Sequence, residues 1–173
     1  MLSTIALFAS SRRHGNTGQL TDQIAQALEI EVIDLGDKLI SAYDYQHRNR
    51  SDDFEGVMAR ILEFDQIIFA SPVYWYAVSA PMKTFLDRIS DFLDLPELLA
   101  QGRALRGKHA HVVCTSIVDE VPPSFINALQ ETFSYLGMRP GAIAHANCTD
   151  GYKPARHEGE VKSFIRTVRN CST

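Results

Sequence analysis

The sequence has few cysteines, no excess of basic residues and no long apolar run. Its three cysteines, Cys114, Cys148 and Cys171, are odd in number and widely spaced. That excludes a disulfide framework or a zinc-ligand pattern and points to reduced, mostly buried thiols of an intracellular compartment. Lysine and arginine number 17 against 21 aspartates and glutamates, a net charge of −4. This balance gives no support for bulk binding to nucleic acid. It is also milder than a charge-steered docking electron carrier would carry. Apolar stretches such as residues 67–70 stop far short of the roughly 18 residues that a membrane span needs. The N-terminus has no basic lead, and Arg12 and Arg13 directly follow its apolar run, which does not match a secretory signal. A cytoplasmic protein is expected, with neither nucleic acid nor membrane as partner. Two glycine patterns are also missing. Without Gly-x-x-x-x-Gly-Lys-Ser/Thr there is no nucleotide P-loop, and without Gly-x-Gly-x-x-Gly there is no dinucleotide fingerprint.

What is present suits a folded α/β chain. Hydrophobic residues make up 45% and charged residues 22% of 173 residues, and a single domain over 1–173 is expected. Short continuous apolar runs at 4–9, 30–35, 65–70, 109–115 and, more weakly, 141–147 read as strands buried on both faces. Between them lie amphipathic helices: 17–28, with Leu20, Ile24, Ala27 and Leu28 as its stripe; 54–64; one from the Ser79 N-cap and Pro81 to about Leu93; one from Pro122 and Pro123 to Leu136, closed by Gly137; and 158–168. The βα unit repeated five times predicts a five-stranded parallel sheet of order 2-1-3-4-5 with helices on both faces, a three-layer sandwich whose ligand sits outside the carboxyl ends of the strands.

Three loops lie there. The first, 10–17, precedes a helix N-terminus, where unpaired N–H groups and the helix dipole favour a phosphate. Ser10, Ser11, Asn16 and Thr17 add short donors, Arg12 adds a fixed positive charge, and Gly15 permits close backbone approach. The loop has no cysteine, which argues against a thiol phosphatase. The second loop holds Pro72, Val73, Tyr74, Trp75 and Tyr76. Three successive aromatics at the mouth of a sheet form a wall for a flat heteroaromatic ring, or a subunit contact. The third begins at Thr115 and Ser116.

Taken together, Ser10-x-Arg12-x-x-Gly15-Asn16-Thr17 and Ser71-Pro72-Val73-Tyr74, followed by Ser79-Ala80-Pro81-Met82-Lys83-x-Phe85-Leu86-Asp87-Arg88, resemble the NAD(P)H-dependent FMN reductase family. The resemblance runs through the whole chain in element order. It implies a flavodoxin-like fold holding FMN, with NAD(P)H as co-substrate. On that carry-over Ser10, Arg12, Asn16 and Thr17 hold the phosphate, Pro72, Val73, Tyr74 and Trp75 line the isoalloxazine, and the loop from Thr115 and Ser116 covers its other side. The cofactor carries the redox chemistry, so no dedicated catalytic acid or base is assigned. The resemblance also implies a homodimer or homotetramer and a small-molecule acceptor such as a quinone or a flavin.

The chain departs from the family pattern in three places. Ala9 and Ser11 stand where the family often has Gly and Pro. Residues 41–53 contain no cysteine where iron–sulfur relatives carry a cluster, and such a cluster needs thiolates. The segment 116–123 lacks the glycines common in relatives, and its Asp119 and Glu120 would disfavour a reduced anionic flavin. Residues 44–53, with His47, Arg48 and Arg50, read either as a lid offering positive charge to a pyridine-nucleotide phosphate or as a disordered surface loop. A metal site at His109 and His111 is not favoured, since no carboxylate or thiol accompanies them. Two other functions stay open: a flavodoxin-type electron carrier, and a flavodoxin-like binding module without FMN.

Overall fold

The computed structural model describes residues 2–171; residue 1 and residues 172–173, the ends of the expected 1–173 domain, lie outside them. Five strands form one sheet: β1 (Thr4–Phe8), β2 (Glu31–Asp34), β3 (Gln66–Pro72), β4 (His109–Ser116) and β5 (Arg139–Asn147). Their order is β2-β1-β3-β4-β5 and every pairing is parallel. This is the expected flavodoxin-like arrangement. It follows from strands with side chains to bury on both faces, which only a sheet covered on both sides can satisfy.

Helices cover the two faces: α1 (Asn16–Leu28), α2 (Phe54–Leu62), α3 (Ala80–Arg88), the short α4 (Asp91–Asp94) and α5 (Leu99–Arg103), α6 (Pro123–Tyr135) and α7 (Glu158–Asn170). Strand alternation divides the core in two. Ile5, Leu7, Ile67, Phe69, Val112 and Cys114 face α2, α3 and α6. Ala6, Phe8, Ile68, Val113 and Ala144 face α1 and α7. Edge-to-face contacts of Phe54 with Phe85 and Phe92 tie α2 to α3 and α4, each such pair contributing about 1 kcal/mol beyond its burial.

Two expectations change. The helix predicted to run to Leu93 ends at Arg88, where Ile89 and Ser90 donate to carbonyls three residues back and tighten the backbone before α4. Ser79 stands at the N-cap of α3, but its hydroxyl donates to the Ala9 carbonyl (2.8 Å) and its own N–H to Ser71 Oγ (2.9 Å). The residue thus joins the carboxyl ends of β1 and β3.

The segment 38–53 is neither a lid of free charge nor a disordered loop. Arg88, 1% exposed, donates to Asp91 (2.7 Å), Asp52 (2.6 Å) and the Ser41 and Asn49 carbonyls, with its guanidinium over the Phe54 ring. His47 reaches Asp91 from the segment (2.8 Å). Arg48 pairs with Asp44, and Arg50 with Glu55 and Glu97, so the charges meant for a nucleotide phosphate are neutralised in place. Burial alone would raise the Asp52 carboxyl; hydrogen bonds from Arg88 and from the Ser41 and Phe54 amides outweigh it and hold the group below its ordinary value.

On β4, His111 is fully buried. Its Nε2 meets Gln66 Oε1 (3.1 Å), and its Nδ1 accepts from the Ala142 N–H (2.9 Å). The register of β4 with β5 shifts here by one extra residue on β5, a bulge. Gly141 is required at it, since a Cβ there would lie 2.4 Å from the imidazole. Among the described residues no cluster of three His, Cys, Asp or Glu is placed to hold a metal, and no helix is long and apolar enough to cross a membrane.

Candidate functional site

Of the thirteen residues singled out in the three loops of the sequence, all but Ser11 come together in one cleft of about 470 Å3 at the carboxyl ends of β1, β3 and β4. Its polar end is the loop between β1 and α1. The first intrahelical bond of α1 runs from Gln19 to Gly15, so the N–H groups of Asn16, Thr17 and Gly18 have no carbonyl one turn earlier to bond. Two neighbouring arginines divide the labour. Arg13 pairs with Asp22 (2.6 Å) and Asp34 and lies over the Phe8 ring. Arg12 lines the cleft and has no acidic partner among the described residues. Ser10 lines the same end, and its hydroxyl accepts from the Arg12 N–H (3.3 Å). His14 does not line the cleft.

Some predicted donors are partly spent within the protein. Thr17 Oγ1 lies 2.7 Å from Thr115 Oγ1, a buried contact that locks α1 to β4. Asn16 Oδ1 accepts from the Tyr152 N–H (3.1 Å), which takes one of its two acceptor positions and leaves its amide NH2 as the donor for a ligand. Gly15 takes ordinary extended angles. The close approach is made instead by Gly18, where a Cβ would fall 1.8 Å from the Arg13 carbonyl. Gly18 lets the loop fold tightly over the helix start, and no pattern in the sequence marked it.

The flat walls come from the loops after β3 and β4. Pro72 is buried and Val73 half-buried, and Val73 N–H donates to Thr115 O (2.9 Å). Tyr74 and Ala77 exchange both backbone hydrogen bonds around Trp75 and Tyr76, whose φ angles are 49° and 63°. That is a type I′ turn, which ordinarily carries Asn and Gly. The Tyr74 hydroxyl lies 2.8 Å from Ser11 Oγ, tying the ring-side loop to the phosphate-side loop. Burial opposes ionisation of this phenol, but hydrogen bonds with Ser11 and Ser10 and the Arg12 charge outweigh it, so its pKa lies below the ordinary value.

At the end of β4 and just beyond it the cleft is lined by Thr115, Ser116, Ile117, Val118 and Pro122, and after β5 by Cys148. The loop is braced against the end of β5 and the chain that follows it. Ser116 Oγ meets His145 Nε2 (2.7 Å), Cys148 N–H donates to Ser116 O, Asn147 donates to Asp119 (2.7 Å), and Thr149 donates to Ile117 O. Asp119 is thereby turned to Asn147, and neither it nor Glu120 lines the cleft. The segment 116–123, expected to be distinctive for its lack of glycine, is a braced loop presenting apolar Ile117 and Val118. Tyr76 lines the cleft as part of the expected aromatic wall, whereas Ile117, Val118, Pro122 and Cys148 were not singled out for it, because apolar residues in a loop carry no chemical signature.

The cleft thus has one unpaired cation and a helix N-terminus at one end, apolar and aromatic walls elsewhere, and no acidic residue in its lining. That donor set fits a phosphate attached to a flat neutral ring, and FMN is such a molecule.

Comparison with known proteins agrees. A model of the NADPH-dependent FMN reductase family matches residues 2–147. The chain is similar to the "Putative NAD(P)H-dependent FMN-containing oxidoreductase YwqN" of Bacillus subtilis (strain 168), 29% identical over 138 residues, 74% of this chain and 75% of the relative. Among solved structures it resembles the Trp repressor binding protein from Bacillus subtilis, with a TM-score of 0.75, 23% identity and coverage of 98% and 99% of the two chains. It also resembles an FMN-dependent NADH-azoreductase from Bacillus anthracis solved with FMN, with a TM-score of 0.70, 12% identity and coverage of 96% and 98%. These two structures show the shared fold.

Proposed function

The chain belongs to the NADPH-dependent FMN reductase family, an enzyme family that takes FMN as cofactor and NAD(P)H as electron donor, and from that premise we propose that it reduces a small flat acceptor, such as a quinone or a free flavin, at the cleft described above. The observation that carries the reading is the pairing of an acid-free cation and open helix N-terminus with an apolar, ring-sized cleft. When bound, FMN would supply the two-electron redox chemistry between the nicotinamide and the acceptor.

The protein's own share is binding, orientation and exclusion of water. Arg12, Ser10 and the N–H groups of Asn16, Thr17 and Gly18 hold the phosphate. Pro72, Val73 and Tyr74 on one loop, and Thr115, Ser116, Ile117 and Val118 on the other, set the ring plane and keep it dry. With no carboxylate in the lining, negative charge added to the site meets Arg12 and not a repelling side chain. We take the assembly to be a homodimer or homotetramer, which sedimentation velocity tests.

The test is spectroscopic. Purified protein should be yellow, or should take up FMN with quenching of its fluorescence, and anaerobic NADPH or NADH should bleach the bound flavin. Absence of FMN binding at tens of micromolar sinks the reading in favour of a binding module. Binding without bleaching by either nucleotide leaves an electron carrier.

A further inference from the structure

One turn in the molecule carries strain with no structural return. Trp75 and Tyr76 are consecutive, bulky and both left-handed, a conformation relaxed for Asn-Gly and unfavourable for aromatic side chains. Burial does not compensate, since Trp75 is 94% and Tyr76 66% exposed. Nor do hydrogen bonds: neither side chain makes one among the described residues. Backbone strain that packing does not explain collects at functional sites. Here it coincides with a large exposed aromatic surface on the rim of the cleft.

Exposure rises along the loop. Pro72 is buried, Val73 is half-buried and Tyr74 is pinned to Ser11, so this inner part already serves as cofactor wall. Trp75 and Tyr76 stand beyond it, bordering the same cleft as Ile117, itself 76% exposed on the neighbouring loop. An exposed indole and phenol offer stacking area that tolerates any planar ring and offers little to a compact hydrated ion.

We propose that the Trp75–Tyr76 turn is a specificity-determining element for the second substrate, a platform that holds planar aromatic acceptors over the cleft and is kept at the expense of fold stability. The inference rests on the oxidoreductase reading above. That reading fails on the wild-type protein, by lack of FMN uptake or of bleaching; the inference fails only on the variant.

The test is the double variant Trp75→Asn/Tyr76→Gly, which gives the turn its relaxed residues. The melting temperature of the FMN-free protein should rise. With FMN-loaded, photoreduced protein, reoxidation rates by menadione, a flat quinone, and by ferricyanide, a compact inorganic ion, are compared in stopped flow. The menadione-to-ferricyanide rate ratio should fall at least tenfold. The proposal is overturned by an unchanged ratio, by a lower melting temperature, or by loss of a wild-type dimer on sedimentation, which would make the turn a subunit contact. FMN affinity weakened more than tenfold would also overturn it, by showing the indole to be part of the cofactor wall.

Discussion

At the scale of the residue, Arg12 and Arg13 show what a sequence can and cannot say about a charge. Both sit in a polar loop before a helix. Only the fold spends Arg13 on Asp22 and Asp34 and leaves Arg12 without an acidic partner among the described residues. Arg12→Ala should therefore weaken FMN binding by about 1–3 kcal/mol without changing the urea midpoint of the FMN-free protein; fluorescence-quenching titration and urea unfolding check the two halves. Gly18→Ala should do the reverse of a helix-stabilising change. The new methyl meets the Arg13 carbonyl at 1.8 Å, so the loop must lift, lowering stability by about 1–3 kcal/mol and FMN affinity with it. The polar residues of the loop before α1 were legible as cleft-lining because their chemistry is local, but the close approach expected of Gly15 falls to Gly18, whose role depends on the path of the loop. The sign of φ at Trp75 and Tyr76 was not legible, since nothing in two aromatics signals a left-handed turn. The hydroxyl of Ser79 was misread because its partner, Ala9, lies 70 residues away.

At the scale of the element, the central strands β1, β3 and β4 were legible because burial on both faces writes continuous apolar runs, while the border strands β2 and β5, only partly buried, write weaker ones. The helix boundary at Arg88 was not legible. An arginine on an amphipathic helix reads as solvated, and only the fold brings Asp52, Asp91 and two carbonyls around it. Those contacts turn 38–53, which in the sequence is merely polar, into a fixed wrap over α3 and α4. Arg88→Ala would leave Asp52 and Asp91 without their buried cation and should cost about 3–5 kcal/mol, read as a lower urea midpoint. Proteolysis within 38–53 of that variant should be faster than in wild type. Arg50→Ala, which removes partly exposed pairs, should cost no more than about 1 kcal/mol by the same measurement.

At the scale of the whole molecule, the buried imidazole of β4 sets a pH dependence. Burial, with a smaller contribution from His109, pushes His111 down from its ordinary 6.5 to about 4. Between those values the unfolded chain binds a proton that the folded one refuses. Stability is therefore full above pH 6.5 and falls as pH drops toward 4, by up to about 3 kcal/mol. His145, lowered chiefly by burial, acts in the same direction. The melting temperature should fall from pH 7.5 to pH 5, and His111→Gln should flatten that slope without abolishing it. The same histidine receives the N–H of the β5 bulge, and the bulge has a consequence for how copies of the chain can meet. A straight outer strand is a template on which another copy's sheet can continue. Here one outer strand opens on Arg139 and Pro140, the latter without an N–H to give, and is kinked at Gly141; the other, Glu31–Asp34, is four residues long and begins with an exposed acid. Both borders are therefore blunted as templates for a continuing sheet, which favours contact between copies through helices and loops over sheet extension.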